Sequence, residues 1–291
     1  MFEAIGETAL NPLQYGFMRQ AFLGGTAVSL LCGIVGYYLV LRHDVFAGEA
    51  LPDVAFTGAV AGAVAGINPF GGMLLGTLLA GFGLAALGRR LRERDVVTGT
   101  VLAGVLGLGV LFLSLFATRG SDSTTGFAGV GILFGSILSI SGRQAVLLIA
   151  VAASAGCVVL AIARPLFYAS IDPDVARARG VPVRLLGFIF MGLLALTVVE
   201  AVQAVGALLV FALLLLPAAV AQQVTLSHGR GVALAAALAL VVTWGGLAIG
   251  YYSGLPVSVC ISLLAVGLYG VVQLGVRVRP SLGYSPSPSG P

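Results

Sequence analysis

Lysine is absent from this 291-residue chain; all 15 basic residues are arginine. That excludes a Walker A phosphate loop, whose lysine must reach the terminal phosphates. If ATP drives this protein, another polypeptide hydrolyses it. Charge of either sign is scarce: 9% of the residues are Asp, Glu, Lys or Arg, against about a quarter in a soluble domain. With 59% hydrophobic residues and a mean hydropathy of +1.08, the chain reads as a polytopic membrane protein. Cys32, Cys157 and Cys260 stand singly in apolar stretches with no CxxC pair. They read as buried free thiols, since an isolated cysteine behaves as a small hydrophobe. The N-terminus lacks the pattern of a cleaved signal peptide. The net charge of +4 sits mostly at the ends of apolar runs and is not a nucleic-acid footprint.

Glycine and long apolar runs are plentiful. The 42 glycines suit close helix packing in lipid. A span needs about 20 apolar residues, which predicts spans near 16–41, 48–66, 71–89, 97–117, 144–164, 185–200, 206–222, 231–250 and 257–275. The expected fold is all-α and polytopic, with eight or nine transmembrane helices. The run from Leu185 to Ala221 is too long for one span, and the polar Glu200 and Gln203 mark the expected break. The 127–140 stretch is apolar but short, and reads as a partial or interfacial helix. Residues 1–280 read as one transmembrane domain, and 281–291, rich in Ser, Pro and Gly, as a disordered tail.

Arginine placement orients the chain. With the N-terminus outside, Arg42, Arg89, Arg90, Arg92, Arg94, Arg164, Arg177, Arg179, Arg184, Arg230, Arg277 and Arg279 fall inside. Only Arg19, Arg119 and Arg143 fall outside. The charged loop Asp172–Pro182 is therefore expected on the cytoplasmic side. Asp172 reads as a helix N-cap, Pro173 as the first helical residue and Asp174 as first-turn acid. Arg177 and Arg179 continue the turn, and Gly180 followed by Pro182 stops it. Two readings stand: an amphipathic helix whose arginines rest on anionic lipid, or a coupling helix seated in a groove of a soluble ATPase.

In order along the chain come Gly33-Ile-Val-Gly-Tyr-Tyr-Leu-Val-Leu-Arg42, Phe46-Ala-Gly-Glu-Ala-Leu-Pro-Asp53, Arg94-Asp-Val-Val-Thr-Gly99, Leu108-Gly-Val-Leu111 and Leu133-Phe-Gly135. The Asp172–Pro182 loop follows, then Val205-Gly-Ala-Leu-Leu-Val210, Pro217-Ala-Ala219 and Tyr251-Tyr-Ser-Gly-Leu-Pro256. From about Gly24 to Val276 this order resembles the permease subunit of zinc/manganese-type ATP-binding-cassette importers. The resemblance implies a bacterial inner-membrane permease homodimer, two cytoplasmic ATPase subunits and an extracytoplasmic metal-binding protein. On that reading the chain binds no cofactor itself, ATP sits on the partner, and the segment 172–183 couples the two.

Glu49 and Asp53 are four residues apart, so on a helix they share one face. Asp53 lies nine residues beyond Asp44, roughly 14 Å along a helix. A carboxylate at that depth faces a cavity, a partner or an ion path; the bland alternatives are solvation near the inner end or a structural pair with Arg42. In the resembled family this stretch reads Gly-Asp-Ala-x-Ser-His, whose Asp and His line the metal path. Here Glu49 keeps the acid, Pro52 replaces the Ser and Asp53 replaces the His. Loss of the imidazole favours harder ions such as manganese over zinc. Pro52 should kink the helix or make it start late; in mid-helix it frees the Gly48 carbonyl. The expected site is loose and oxygen-rich, made by Glu49 and Asp53 of both copies at the dimer axis.

Glu200 is a further metal candidate. It shares a face with Gln203 near the outer end of its span, as either an acid on a solvated outer turn or a second acid at the metal entrance. His43 and His228 fall at cytoplasmic ends without a partner histidine, and neither is expected to bind metal. Asp95 reads as a cap, and Trp244, Tyr251 and Tyr252 as interfacial or packing residues. No GxSxG, Cys–His or Rossmann glycine pattern occurs in a suitable context, and Asp53 lacks the second span aspartate of an intramembrane aspartyl protease. The expected function is import of manganese or zinc, with iron a further option, by alternating access. The rivals are a proton-coupled metal carrier, a permease for a chelate such as an iron–siderophore or cobalamin, and an intramembrane enzyme.

Overall fold

The computed structural model describes residues 14–87, 95–119, 135, 137–225 and 227–278. Eleven α-helices occur among them: α1 (Gly16–Leu41), α2 (Val45–Val64), α3 (Pro69–Leu87), α4 (Asp95–Arg119), α5 (Gly142–Ala161), α6 (Ala163–Ile171), α7 (Pro173–Ala178), α8 (Val183–Val205), α9 (Ala207–Val224), α10 (His228–Ser253) and α11 (Val257–Val278). A 3-10 turn at Ile137–Ser139 precedes α5. The arginines at 89, 90, 92, 94 and 279, the tail 281–291 and most of the 127–140 stretch lie outside the described residues.

Nine of the helices are long, and they fall where hydropathy put the spans. Six contain an apolar stretch long enough to cross a bilayer alone, and α4 and α9 contain shorter ones, Leu102–Phe116 and Leu209–Val224. Among the described residues, the long helix in neither group is α2, which carries Glu49, Pro52 and Asp53. That helix depends on its neighbours to sit in a membrane, because its two acids oppose partitioning into hydrocarbon.

Helix α1 is the centre of the packing. It touches α10, α5, α9 and α8, and Leu31, Cys32, Val35, Tyr38 and Leu39 along it are buried. The approach is backbone to backbone. A Cβ on Gly33 would fall 2.5 Å from Ala236 Cα of α10, and one on Gly36 would overlap the Leu214 carbonyl of α9. Helices α2 and α3 meet the same way, Gly58 against Gly72. Small residues allow this contact, which supplies the dispersion energy that lipid-embedded helices need.

Helix ends follow the sequence closely. Ser141 and Gln144 form a reciprocal capping box at the start of α5. The α1–α2 turn closes by two bonds, His43 N–H to Val40 O and Asp44 N–H to Leu39 O, both 3.0 Å. This is a Schellman stop, with His43 at φ 55° where glycine is usual. Arg42 donates to buried Asp44 at 2.9 Å and lies 5.0 Å from the Phe190 ring centre. At the opposite end, Tyr15 before α1 lies 6.4 Å from Tyr251 of α10, and Tyr251 lies 5.3 Å from Tyr252. An aromatic cluster at a helix end suits an interfacial belt.

Three expectations need correction. The break after α8 is not at Glu200 and Gln203: α8 runs through both to Val205, and the chain turns at Gly206, φ 94°. Polar side chains can lie inside a helix bundle, whereas the combination φ 94°, ψ 152° at Gly206 is open essentially to glycine alone. Cys157 is exposed on the outer face of α5, not buried. The span ending near 164 instead stops at Ala161, and a separate helix, α6, leads into the loop.

The left-handed geometry at His43 penalises a β-branched residue. His43→Val should lower the stability of the detergent-solubilised protein by about 1–3 kcal/mol, while His43→Gly should not lower it. Thermal unfolding of both variants beside the wild type checks this, and equal loss in both would contradict it.

Candidate functional site

The acids of α2 occupy its least covered face. Ala47, Gly48, Ala50, Leu51 and Pro52 are buried against the bundle, while Glu49 is exposed and Asp53 half-buried. Helix periodicity stacks positions 49 and 53 one turn apart; a turn further on, Thr57 on the same face donates to the Val105 carbonyl of α4 at 3.0 Å. The two carboxylates lie within electrostatic range of each other. Arg42 is paired with Asp44 at 2.9 Å.

Pro52 sits inside α2, which runs unbroken from Val45 to Val64; the late-start alternative is not seen. Having no N–H, Pro52 cannot bond the carbonyl four residues back, that of Gly48. The Gly48 carbonyl therefore lacks its usual helix donor, one residue before Glu49. Among the described residues, no three His, Cys, Asp or Glu side chains of one chain converge on a point. Hard divalent ions take about six oxygens, more than these two side chains provide.

Glu200 is elsewhere. It is buried in α8, 4% exposed, and within electrostatic range of Cys32 on α1. Neither carboxylate oxygen has a hydrogen-bond partner among the described residues. The expectation of an acid on a solvated outer turn is corrected: α8 extends beyond Glu200 for another turn, and its Glu200 face is packed inward. Hydropathy reading missed this because it placed the helix end at the acid itself.

The charged loop folds as its residues indicate. Asp172 accepts from the N–H groups of Asp174 and Val175, both at 3.0 Å, and Pro173 opens α7. Arg177 donates to Asp174 at 2.8 Å. Gly180, φ 79°, ends the helix: its N–H bonds Arg177 O, and Val181 N–H bonds Ala176 O. Ala176 is buried, while Asp172, Asp174, Arg177, Arg179 and Gly180 are exposed. Tyr168, Ile171, Val175 and Leu185 add exposed apolar surface around them.

His43 is exposed and serves the turn described above. His228 opens α10 against the rings of Tyr37, Tyr38 and Phe167. Asp95 is the first residue of α4, and Trp244 donates to Thr26 Oγ1 at 2.9 Å.

The profile of the ABC 3 transport family matches residues 14–275. The chain belongs to that family. It is 30% identical over 251 residues to the manganese import system permease protein ScaB of Streptococcus parasanguinis, covering 86% of this chain and 87% of that protein. It is 27% identical to the chelated iron transport system membrane protein YfeD of Yersinia pestis over 96% of this chain and 91% of that one. Among solved structures, PsaBC from Streptococcus pneumoniae in complex with Fab superposes with a TM-score of 0.79 at 25% identity, covering 91% of this chain and 94% of that one. The resemblance carried by the ordered landmarks is therefore borne out, as is the all-helical, multi-pass membrane fold of a bacterial permease family.

The ABC 3 landmarks fall at places of special backbone geometry. Gly36 is the α1–α9 contact, Gly206 the α8–α9 break, and Gly180 the stop of α7. Gly135, φ 72°, packs on the backbone of Val205 and Gly206 so closely that a side chain there would collide.

A buried carboxyl with no partner is destabilising, and an apolar residue of similar shape relieves that cost. Glu200→Met should therefore raise stability by about 1–3 kcal/mol. Thermal unfolding of the purified protein measures it; a lower midpoint would mean that Glu200 is satisfied by a partner.

Proposed function

We propose that this ABC 3 chain is the membrane-spanning permease of an ATP-driven importer of divalent transition metals, working as a homodimer. One observation carries the reading. Glu49 is exposed and Asp53 half-exposed on one face of a membrane helix, where contact with lipid would be costly. A second copy across that face removes the acids from lipid and doubles the ligands. Four carboxylates and two freed Gly48 carbonyls then surround a path on the axis. Such a shell is built of hard oxygen donors and suits manganese or ferrous iron better than zinc. The names of ScaB and YfeD agree with a metal or metal-chelate cargo.

Residues Asp172 to Val183 are the coupling element of this proposal. A capped helix that projects charge and apolar side chains at the arginine-rich end of the bundle suits a protein groove. Asp172 and Gly180 fix both ends, so the helix can move as a rigid piece with the ATPase. ATP hydrolysis belongs to that separate subunit, and an extracytoplasmic binding protein delivers the ion. Residues 1–280 work as a single transmembrane domain. Glu200 is not part of the axial set; its place inside the protomer makes it a separate candidate for handling a cation.

Uptake of manganese into proteoliposomes holding the permease with its ATPase tests the site. Asp53→Ala should abolish ATP-driven uptake while the complex assembles in normal amount. Asp53→His should move the preference from manganese toward zinc. Normal uptake by Asp53→Ala would remove the pair from the path, and uptake that follows a proton gradient without ATP would replace the importer reading with a proton-coupled carrier.

A further inference from the structure

The coupling helix has few routes into the bundle. Among the described residues, α7 packs on α6 and, more lightly, on α8, to which it is joined through Gly180–Pro182. Helix α6 carries Phe167, whose ring centre lies 4.1 Å from that of His228, the first residue of α10. On its other sides His228 meets the rings of Tyr37 and Tyr38 at 5.6 and 5.5 Å, and its Nε2 is 3.0 Å from the Tyr38 hydroxyl. Tyr38 is fully buried near the inner end of α1. Gly231 lets Tyr37 press against α10, since a Cβ there would fall 2.6 Å from the ring. From α9, Gln222 donates to the Tyr37 carbonyl at 2.8 Å. One imidazole thus stands where the segment leading to α7 meets α1 and α10, the pair whose close contact centres the bundle, with α9 tied to the same point.

We infer that His228 is a positioning residue for transport: with Phe167 and Tyr38 it forms the joint that passes displacement of the coupling helix to α1 and α10. The inference rests on the importer reading. Aromatic rings in edge and tilted contact hold a defined orientation and transmit displacement, and the hydrogen bond to Tyr38 makes the link directional. His228 Nδ1 is buried without a partner among the described residues. An unmet buried polar atom is destabilising, so the ring has a hydrogen bond to gain when α6 and α10 shift. That is the property expected of an element with two discrete arrangements.

The test is the number of manganese ions taken up per ATP hydrolysed by the intact permease–ATPase complex in proteoliposomes. His228→Ala and Phe167→Ala should each lower that ratio by about twofold to thirtyfold, the range of coupling changes produced by residues between communicating sites. ATP hydrolysis itself should continue. The double variant should be no worse than the weaker single, because both remove one contact. Tyr38→Phe, which deletes a single oxygen, should lower the ratio by less. Phe22→Ala is the control: Phe22 meets Trp244 edge-on at 6.0 Å between the same two helices, toward their other end. It should leave the ratio unchanged.

A wild-type ratio in His228→Ala and Phe167→Ala overturns the joint, as does an equal fall in Phe22→Ala, which would mean a general loss of packing. If the alanine variants do not assemble, Tyr38→Phe decides, and an unchanged ratio there overturns the inference. If the wild type shows no ATP-driven uptake, the importer reading fails and the joint falls with it, a result distinct from failure of the variants alone.

Discussion

Close backbone contact at α1 is the constraint on which the rest of the structure depends. Helices in lipid gain nothing by hiding leucine from its equally apolar surroundings. They are held by dispersion at short range, and that range is reached where Gly33 admits Ala236 and Gly36 admits the Leu214 carbonyl. Once α1 is seated on α9 and α10, the other positions follow. Helices α8 and α5 also pack on α1 and on each other, and α8 brings Glu200 toward Cys32. Helix α2 can then be a poor membrane helix, carrying two acids and a proline, because α3, α4, α8 and α9 hold it in place.

That tolerance is what permits a site. A carboxylate survives in a membrane only if the bundle gives it a place away from hydrocarbon. Glu49 and Asp53 are placed outward on the protomer, Glu200 inward, so three acids in similar apolar sequence have two different fates. The outward pair stands on a face that its own bundle leaves partly uncovered. The inward one is isolated from every described hydrogen-bond partner. Pro52 joins the first group for a local reason: it removes one helix bond beside the acids.

The arginine-rich end of the molecule has a different logic. Here the helix stops are defined by hydrogen bonds, not by hydropathy: the Schellman closure at His43, the Asp172 cap and the Gly180 stop. Well-defined ends make rigid bodies of α1, α2 and α7. Rigid bodies transmit motion only through their contacts, which is why the single imidazole between Phe167 and Tyr38 matters more than its exposure or charge suggests.

The spans, their alternation and the ends of α7 were legible in the sequence because each rests on local chemistry. Twenty apolar residues suffice for a span, an Asp-Pro-Asp run starts a helix, and a glycine stops it. The shared face of Glu49 and Asp53 was legible for the same reason, as helical period alone sets it. What α6 does, why the long apolar run breaks at Gly206 and not at its polar residues, and where Glu200, Cys157 and His228 point were not legible. Each depends on which neighbour a helix face meets, and a hydropathy pattern does not encode that. Polarity in a membrane sequence marks both ends and interiors, and only packing separates the two. Tertiary structure alone therefore buried Glu200, exposed Cys157, and set His228 among three aromatic rings drawn from helices far apart in the chain.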